Sequence, residues 1–275
     1  MSDRIINFTN TYEAGDYEGF TFIDCSDIPG TDMYCDEPAY EEIRQRLLAG
    51  YRYGSGSGQE DARTEAVKSQ AAVSQGIHLI DSGNYHYMSR LFTSFIDEPY
   101  ELVFFDNHTD MKPAMFDMLS CGSWAKEVLE KDGNLRRLYM IGPPEKSVEE
   151  LPGELLENGK LVFITREEFS KERVCEAVCE ENSSGKKEIS RLPIYISVDK
   201  DVLAGSEVKT NWDQGSMRMG QLLSALDLIC SGRRVAGADI CGLFPRSAGE
   251  SEFFLSREQG MKSDKAIIEV LRKYV

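Results

Sequence analysis

The sequence predicts an α/β fold in which a mostly parallel sheet carries helices on both faces. Short apolar runs recur along the chain, as in Glu101–Phe105 (ELVFF) and Pro193–Val198 (PIYISV). Runs of this length suit strands buried on both faces. Segments with helical spacing separate them, as parallel strands require. No internal repeat, long low-complexity tract or membrane-length apolar run interrupts the alternation.

The elements follow in order. An early strand is expected at Phe20–Ile23, then an acidic loop and a helix from Glu37 to Leu48. Tyr53–Gln59 (YGSGSGQ) is Gly/Ser-rich and reads as a lid or exposed loop. Too few residues precede it for a core of their own. Gly76–Asp81 is the next strand, and His86 to Phe95 continues as a helix. After ELVFF come a helix at Trp124–Leu129 and strands at Leu135–Ile141 and Leu161–Ile164. Thr165 and Glu168 form a capping box for the helix that follows. Beyond PIYISV, Trp212–Gly215 is a turn, and Met219, Leu222, Leu223, Leu226 and Ile229 line a core-facing helix. Arg234–Ile240 is a late strand and Asp264–Lys273 a closing amphipathic helix.

Composition bounds the function. A hydrophobic fraction of 41% and an aromatic fraction of 10% are those of a globular chain. The net charge of -16 argues against a nucleic-acid groove, since phosphate binding needs a basic surface, and its plain reading is solubility. The seven Cys are odd in number and none shows C-x-x-C spacing. Cys175 and Cys179 read as two buried thiols on one helix. The N-terminus has no apolar signal core, so a reducing cytoplasm is the expected setting.

In open parallel sheets, ligands gather at the carboxyl ends of the strands. There the sequence reads Asp106-Asn107-His108-Thr109-Asp110, directly after the apolar Phe104-Phe105. If the strand stays extended, the spacing i, i+2, i+4 puts Asp106, His108 and Asp110 on one face. Carboxylates converging at a buried strand mouth are costly unless a positive charge sits among them, and a divalent metal supplies it. Taken singly, such a segment is a polar loop. A second acidic pair, Asp199 and Asp201, ends the strand PIYISV, and His86 follows a third apolar run. His78, inside its strand, reads as a packed core residue, and Lys200 should point away from its flanking carboxylates.

Together these segments resemble the metal-binding signatures of the arginase–agmatinase (ureohydrolase) family. Asp106–Asp110 is similar to its Asp-Ala-His-x-Asp segment, with Asn107 in place of the Ala. Ser197–Asp201 is similar to its Ser-x-Asp-x-Asp segment, and Gly83–His86 shares the Gly and the His of its Gly-Gly-Asp-His segment. The resemblance implies a three-layer α/β/α, arginase-like fold over residues 1–275 as one domain. It also implies a pair of divalent ions, usually Mn2+. One would be held by His86, Asp106, Asp110 and Asp199, the other by His108, Asp106, Asp199 and Asp201. An oxygen-rich set without thiolate suits manganese. Two such ions, about 3.5–4 Å apart, share a water and acidify it into a hydroxide nucleophile.

The departures bear on the substrate. Cys121 occupies the place of the family's proton-shuttling His, and Gly242 that of its guanidinium-binding Glu. A carboxylate missing there removes a charge-assisted pairing. Asn84 and Tyr85, flanking His86, are candidates to bind substrate, and Arg246 could contact an acidic one. The expected function is hydrolysis of a linear carbon–nitrogen bond, amidine or amide, in a small molecule. The alternative is a non-catalytic relative that keeps its metals for structure or regulation. A deacetylase with the same layers needs a His pair beside one zinc, and three His in the whole chain are too few. The expected partners are a small-molecule substrate and, by family analogy, further copies of the chain, with neither nucleic acid nor membrane.

Overall fold

The computed structural model describes residues 3–52, 72–116, 118–181 and 187–275. The predicted loop at Tyr53–Gln59 lies outside them. The strands are β1 (Arg4–Asn7), β2 (Thr21–Asp24), β3 (Tyr34–Cys35), β4 (Ile77–Ile80), β5 (Tyr100–Phe105), β6 (Leu119–Ser120), β7 (Leu135–Ile141), β8 (Leu161–Ile164), β9 (Cys179–Glu181), β10 (Lys187–Ile189), β11 (Ile194–Asp199) and β12 (Val235–Cys241). Eight of them form a central sheet in the order β2-β1-β4-β12-β11-β5-β7-β8. Every pairing in that sheet is parallel.

The predicted burial of both faces is visible strand by strand. In β5, Tyr100, Leu102 and Phe104 enter one core while Val103 and Phe105 enter the other. Helices Glu37–Arg52, Met88–Thr93 and Trp124–Lys131 cover the first core through residues such as Ile43, Leu91 and Val128. Helices Lys171–Val178, Met219–Cys230 and Glu250–Leu271 cover the second through Val174, Leu226 and Ile267. Burying each such side chain contributes about 1.5–3 kcal/mol. The result is helices, sheet, helices: three layers.

Several expectations shift. The sequence reading omits β1, a four-residue strand whose Arg4 is only 1% exposed and donates from Nη1 to the Val73 carbonyl at 2.8 Å. The closing helix begins at Glu250, not Asp264. Its inner face carries Ser256, Gly260 and Ser263, and a Cβ at Gly260 would meet Leu243 Cδ2 at 2.4 Å. Small residues allow that close approach and dilute the apolar periodicity. Thr165 Oγ1 does accept from the Glu168 N–H, at 3.3 Å, but this closes a turn. The helix starts at Lys171, capped by Ser170, whose Oγ accepts from the Arg173 N–H at 3.0 Å. Cys175 is exposed and Cys179 opens β9, so the two are not a buried helical pair. Among the described residues, no helix is long and apolar enough to cross a membrane.

The order of strands positions the site. Four adjacent strands, β4, β12, β11 and β5, end beside one another, and the segments leaving three of them carry the predicted ligands.

Candidate metal centre

The predicted ligands converge, though not by simple strand alternation. β5 stops at Phe105, and Asp106–Asp110 leaves the sheet as an irregular segment. Asp110 has φ +48°, a left-handed backbone that turns its carboxylate back toward the strand ends. Asp199 ends β11, while Asp201 lies in the 3-10 turn Lys200–Val202, and its N–H donates to Asp199 Oδ1 at 2.9 Å. His86 follows another 3-10 turn, Gly83–Tyr85.

Two overlapping groups result. His86 Nδ1 lies 3.0 Å from Asp106 Oδ2, 3.1 Å from Asp110 Oδ2 and 3.6 Å from Asp199 Oδ2. His108 Nδ1 lies 3.3 Å from Asp106 Oδ1 and 2.8 Å from Asp201 Oδ2. Asp106 therefore faces both rings, one oxygen to each. The ligands are held from behind. Trp124 Nε1 donates to Asp110 Oδ2 at 2.6 Å, the Asn107 N–H to Asp201 Oδ1 at 3.0 Å, and the His108 N–H to Asp106 Oδ1 at 2.6 Å. His86 Nε2 meets Ser197 Oγ at 2.9 Å, and Ser197 and Ser89 both donate to Asp239 Oδ1, at 2.7 and 3.0 Å. This chain fixes the ring so that Nδ1 points into the cluster.

The electrostatics call for positive charge. Four carboxylates face two imidazoles, and all but His108 are nearly or fully buried. Burial, together with the charge of neighbouring carboxylates, raises the pKa of Asp106, Asp199 and Asp201. Burial would lower both imidazoles, but the adjacent carboxylates outweigh it: Asp106 and Asp110 raise His86, and Asp106 and Asp201 raise His108. The cluster holds protons where cations would relieve the same repulsion. His86 Nδ1 fits that reading directly. It is buried, surrounded by carboxylate oxygens, and makes no aligned hydrogen bond. The groups His86–Asp106–Asp110 and Asp106–His108–Asp201 each bring three donor atoms close enough to share one ion.

The other predicted residues fare differently. Cys121 borders the cleft of about 400 Å³ that opens over the cluster. Burial and the Asp110, Asp199 and Asp106 charges push its thiol pKa up from the ordinary thiol value. The cleft is bordered by Gly83 but not by Asn84 or Tyr85. The Asn84 side chain donates to Asp32 Oδ1 and accepts from Asn211 and from Trp212 Nε1, so its amide is committed to loop packing. Tyr85 stacks on Phe8 at 4.1 Å in the core. Gly242, with φ +94°, is packed behind Asp199, and a Cβ there would fall 2.6 Å from Asp199 Oδ1. Arg246 lies over Phe253 and Phe254, outside the cleft lining. His78 is a core residue stacked on Phe92, and Lys200 turns away from the cluster to Asp264, as their sequence positions suggest.

Sequence reasoning missed Trp212, Asp239 and Cys241. Trp212 forms a cleft wall and sets its ring edge-on to His108, with centroids 5.5 Å apart. A Trp in a polar turn was the available signal. For Asp239 it was an acidic residue inside a buried strand, which needs partners.

Comparison with known proteins decides the kinship. The model of the arginase family matches residues 3–253. The chain belongs to the arginase family. An uncharacterized protein of Thermotoga maritima is 29% identical over 167 residues, 61% of this chain and 58% of that protein. The chain thus matches less than two thirds of that curated relative's length. Formimidoylglutamase from Bacillus subtilis superposes over 99% of this chain and 87% of its own, with a TM-score of 0.63 and 14% identity. Formiminoglutamase from Trypanosoma cruzi, in a structure with Mn2+, covers 100% and 94% with a TM-score of 0.62 and 12% identity. Agmatine ureohydrolase from Thermoplasma volcanium covers 99% and 90% with a TM-score of 0.55 and 17% identity. At these identities the superpositions establish the arginase-like fold.

Proposed function

We propose that this arginase-family chain is a metal-dependent hydrolase of a linear carbon–nitrogen bond, amidine or amide, in a small molecule. The observation that carries the proposal is the pair of His–carboxylate groups sharing Asp106 at the floor of an open cleft. His86, Asp106, Asp110 and Asp199 would hold one divalent cation, and His108, Asp106, Asp199 and Asp201 a second. The oxygen-rich donor set makes Mn2+ the expected ion. A bound pair would supply Lewis acidity and a water acidified towards neutral pH.

The chain's own groups do the rest. Asp106, shared by the two groups, would link the two positions, with Asp199 beside His86 as the second candidate to do so, and the Ser197–Asp239 chain fixes the His86 ring. His108, the most exposed of the ligands with its side chain 33% accessible, marks where the cluster meets the cleft. The Trp212 ring limits access beside it. Cys121, which borders the cleft at the position of the family's proton-shuttling His, is the candidate to exchange a proton with a leaving nitrogen. Gly242 leaves the family's guanidinium-binding carboxylate without a counterpart, which turns the expected substrate away from cationic guanidino compounds.

The test is a panel of small amides and amidines offered to chelator-stripped protein with and without added Mn2+. Turnover that depends on the metal is expected. Absence of metal uptake by elemental analysis would sink the reading. The second reading is a non-catalytic family member, favoured by the crowding of Gly242 against Asp199. It predicts metal-dependent melting without turnover on any of the panel.

A further inference from the structure

Cys241 ends β12, the strand lying between β4 and β11, and is fully buried. Its Sγ is 3.1 Å from Asp199 Oδ2, and these two atoms and a His86 ring nitrogen all fall within 4.8 Å of one another. His86 Nδ1, in a side chain 1% exposed, has no aligned hydrogen-bond partner and points among these donors. A sulfur donor, a carboxylate oxygen and an unsatisfied imidazole nitrogen therefore border one buried space. The His108 group, by contrast, contains nitrogen and oxygen donors alone.

We propose that Cys241 is a sulfur ligand to the cation held by His86, so that the two positions of the site differ in their choice of metal. The proposal rests on the two-cation reading above. The thiol donates to Asp199 Oδ2 in the metal-free chain. On ligation the S–H bond breaks, the sulfur gives its electron pair to the cation, and the proton passes to solvent water. A thiolate favours softer ions, so the His86 position should prefer zinc, cobalt or ferrous iron, while the His108 position suits manganese. Cys121 also borders the cleft but belongs to neither donor group, which makes it the control thiol.

Chelator-stripped protein reloaded with Co2+ tests this by absorption. Visible d–d bands report bound cobalt, and a near-ultraviolet sulfur-to-cobalt charge-transfer band reports a thiolate ligand. Both are expected in the unaltered chain and in Cys121→Ser. In Cys241→Ser and Cys241→Ala the near-ultraviolet band should vanish while the visible bands stay. The preference of the His86 position for Zn2+ over Mn2+ should fall about 10-fold or more in Cys241→Ala. Visible bands without the near-ultraviolet band in the unaltered chain overturn the proposal without need of any variant, and leave the two-cation reading standing. Persistence of the band in Cys241→Ala overturns it equally. No cobalt absorption at all removes both.

Discussion

Asp239 touches no cleft wall, yet it sets the direction of His86 through Ser197, with the two oxygens 2.7 Å apart. Such outer partners are worth about 10–100-fold in metal affinity. Asp239→Ala should therefore weaken Mn2+ binding by that factor in a calorimetric titration, and unchanged affinity would show that the ring is held some other way. Gly242 gives a second case. Glu at 242 would restore a charge that the family uses for guanidinium, but its Cβ would collide with Asp199 Oδ1 on a left-handed backbone. Gly242→Glu should lower both the melting temperature and the metal content, with no gain of guanidino hydrolysis. Cys121 is tested by kcat. Cys121→Ala should cost about 10²-fold or more if its proton is used, with Cys121→Ser recovering part of it. Equal rates in all three would take Cys121 out of the chemistry.

Lys200 stands between two predicted ligands and faces the opposite way, 2.5 Å from Asp264 Oδ1 on the Glu250–Leu271 helix. Tyr12 and Tyr17 both donate to the other Asp264 oxygen, at 3.0 and 2.9 Å. The closing helix thus anchors the turn that carries Asp199 and Asp201. Breaking a buried pair from one side costs about 3–5 kcal/mol, so Asp264→Ala should lower unfolding free energy in urea by that amount. A loss within error would mean that Lys200 finds another partner. This anchor also shows what the sequence could reveal. The alternation of apolar strands and helices was legible because burial on both sheet faces leaves continuous apolar runs, as in β5 and β11. The closing helix was legible only in its last third, because Ser256, Gly260 and Ser263 replace an apolar stripe with close contact. The six clustered side chains, His86, Asp106, His108, Asp110, Asp199 and Asp201, were legible from residue type and order, but not their geometry. Asp110 depends on a left-handed bend, which spacing does not encode. Cys241 looked like any small apolar strand residue, and only the register of β12 beside β11 brings it to Asp199.

At the scale of the whole molecule, four buried carboxylates meet at one site in a chain with a net charge of -16. In the metal-free state the raised carboxylates stabilise the fold most below their unfolded pKa of about 3.9, and the raised imidazoles below about 6.5. Both contributions are lost as pH rises through the folded values, so their sign is the same. Metal-free protein should melt at progressively lower temperature from about pH 6 to pH 9, whereas saturating Mn2+, which binds the deprotonated set, should flatten or reverse the trend. A melting profile indifferent to both pH and Mn2+ would contradict the proton-for-cation exchange. The sheet order carries a consequence of another kind. β12 inserts between β4 and β11, so His86 and Asp199 are joined through a strand that is synthesised after both of them. A nascent chain emerging from the ribosome has most of its donors exposed before the centre of the sheet can close. If a cation is taken up as proposed, the group around His86 can close on it only once residues 235–241 have arrived, which would make that cation a late latch on the sheet rather than a seed for its growth.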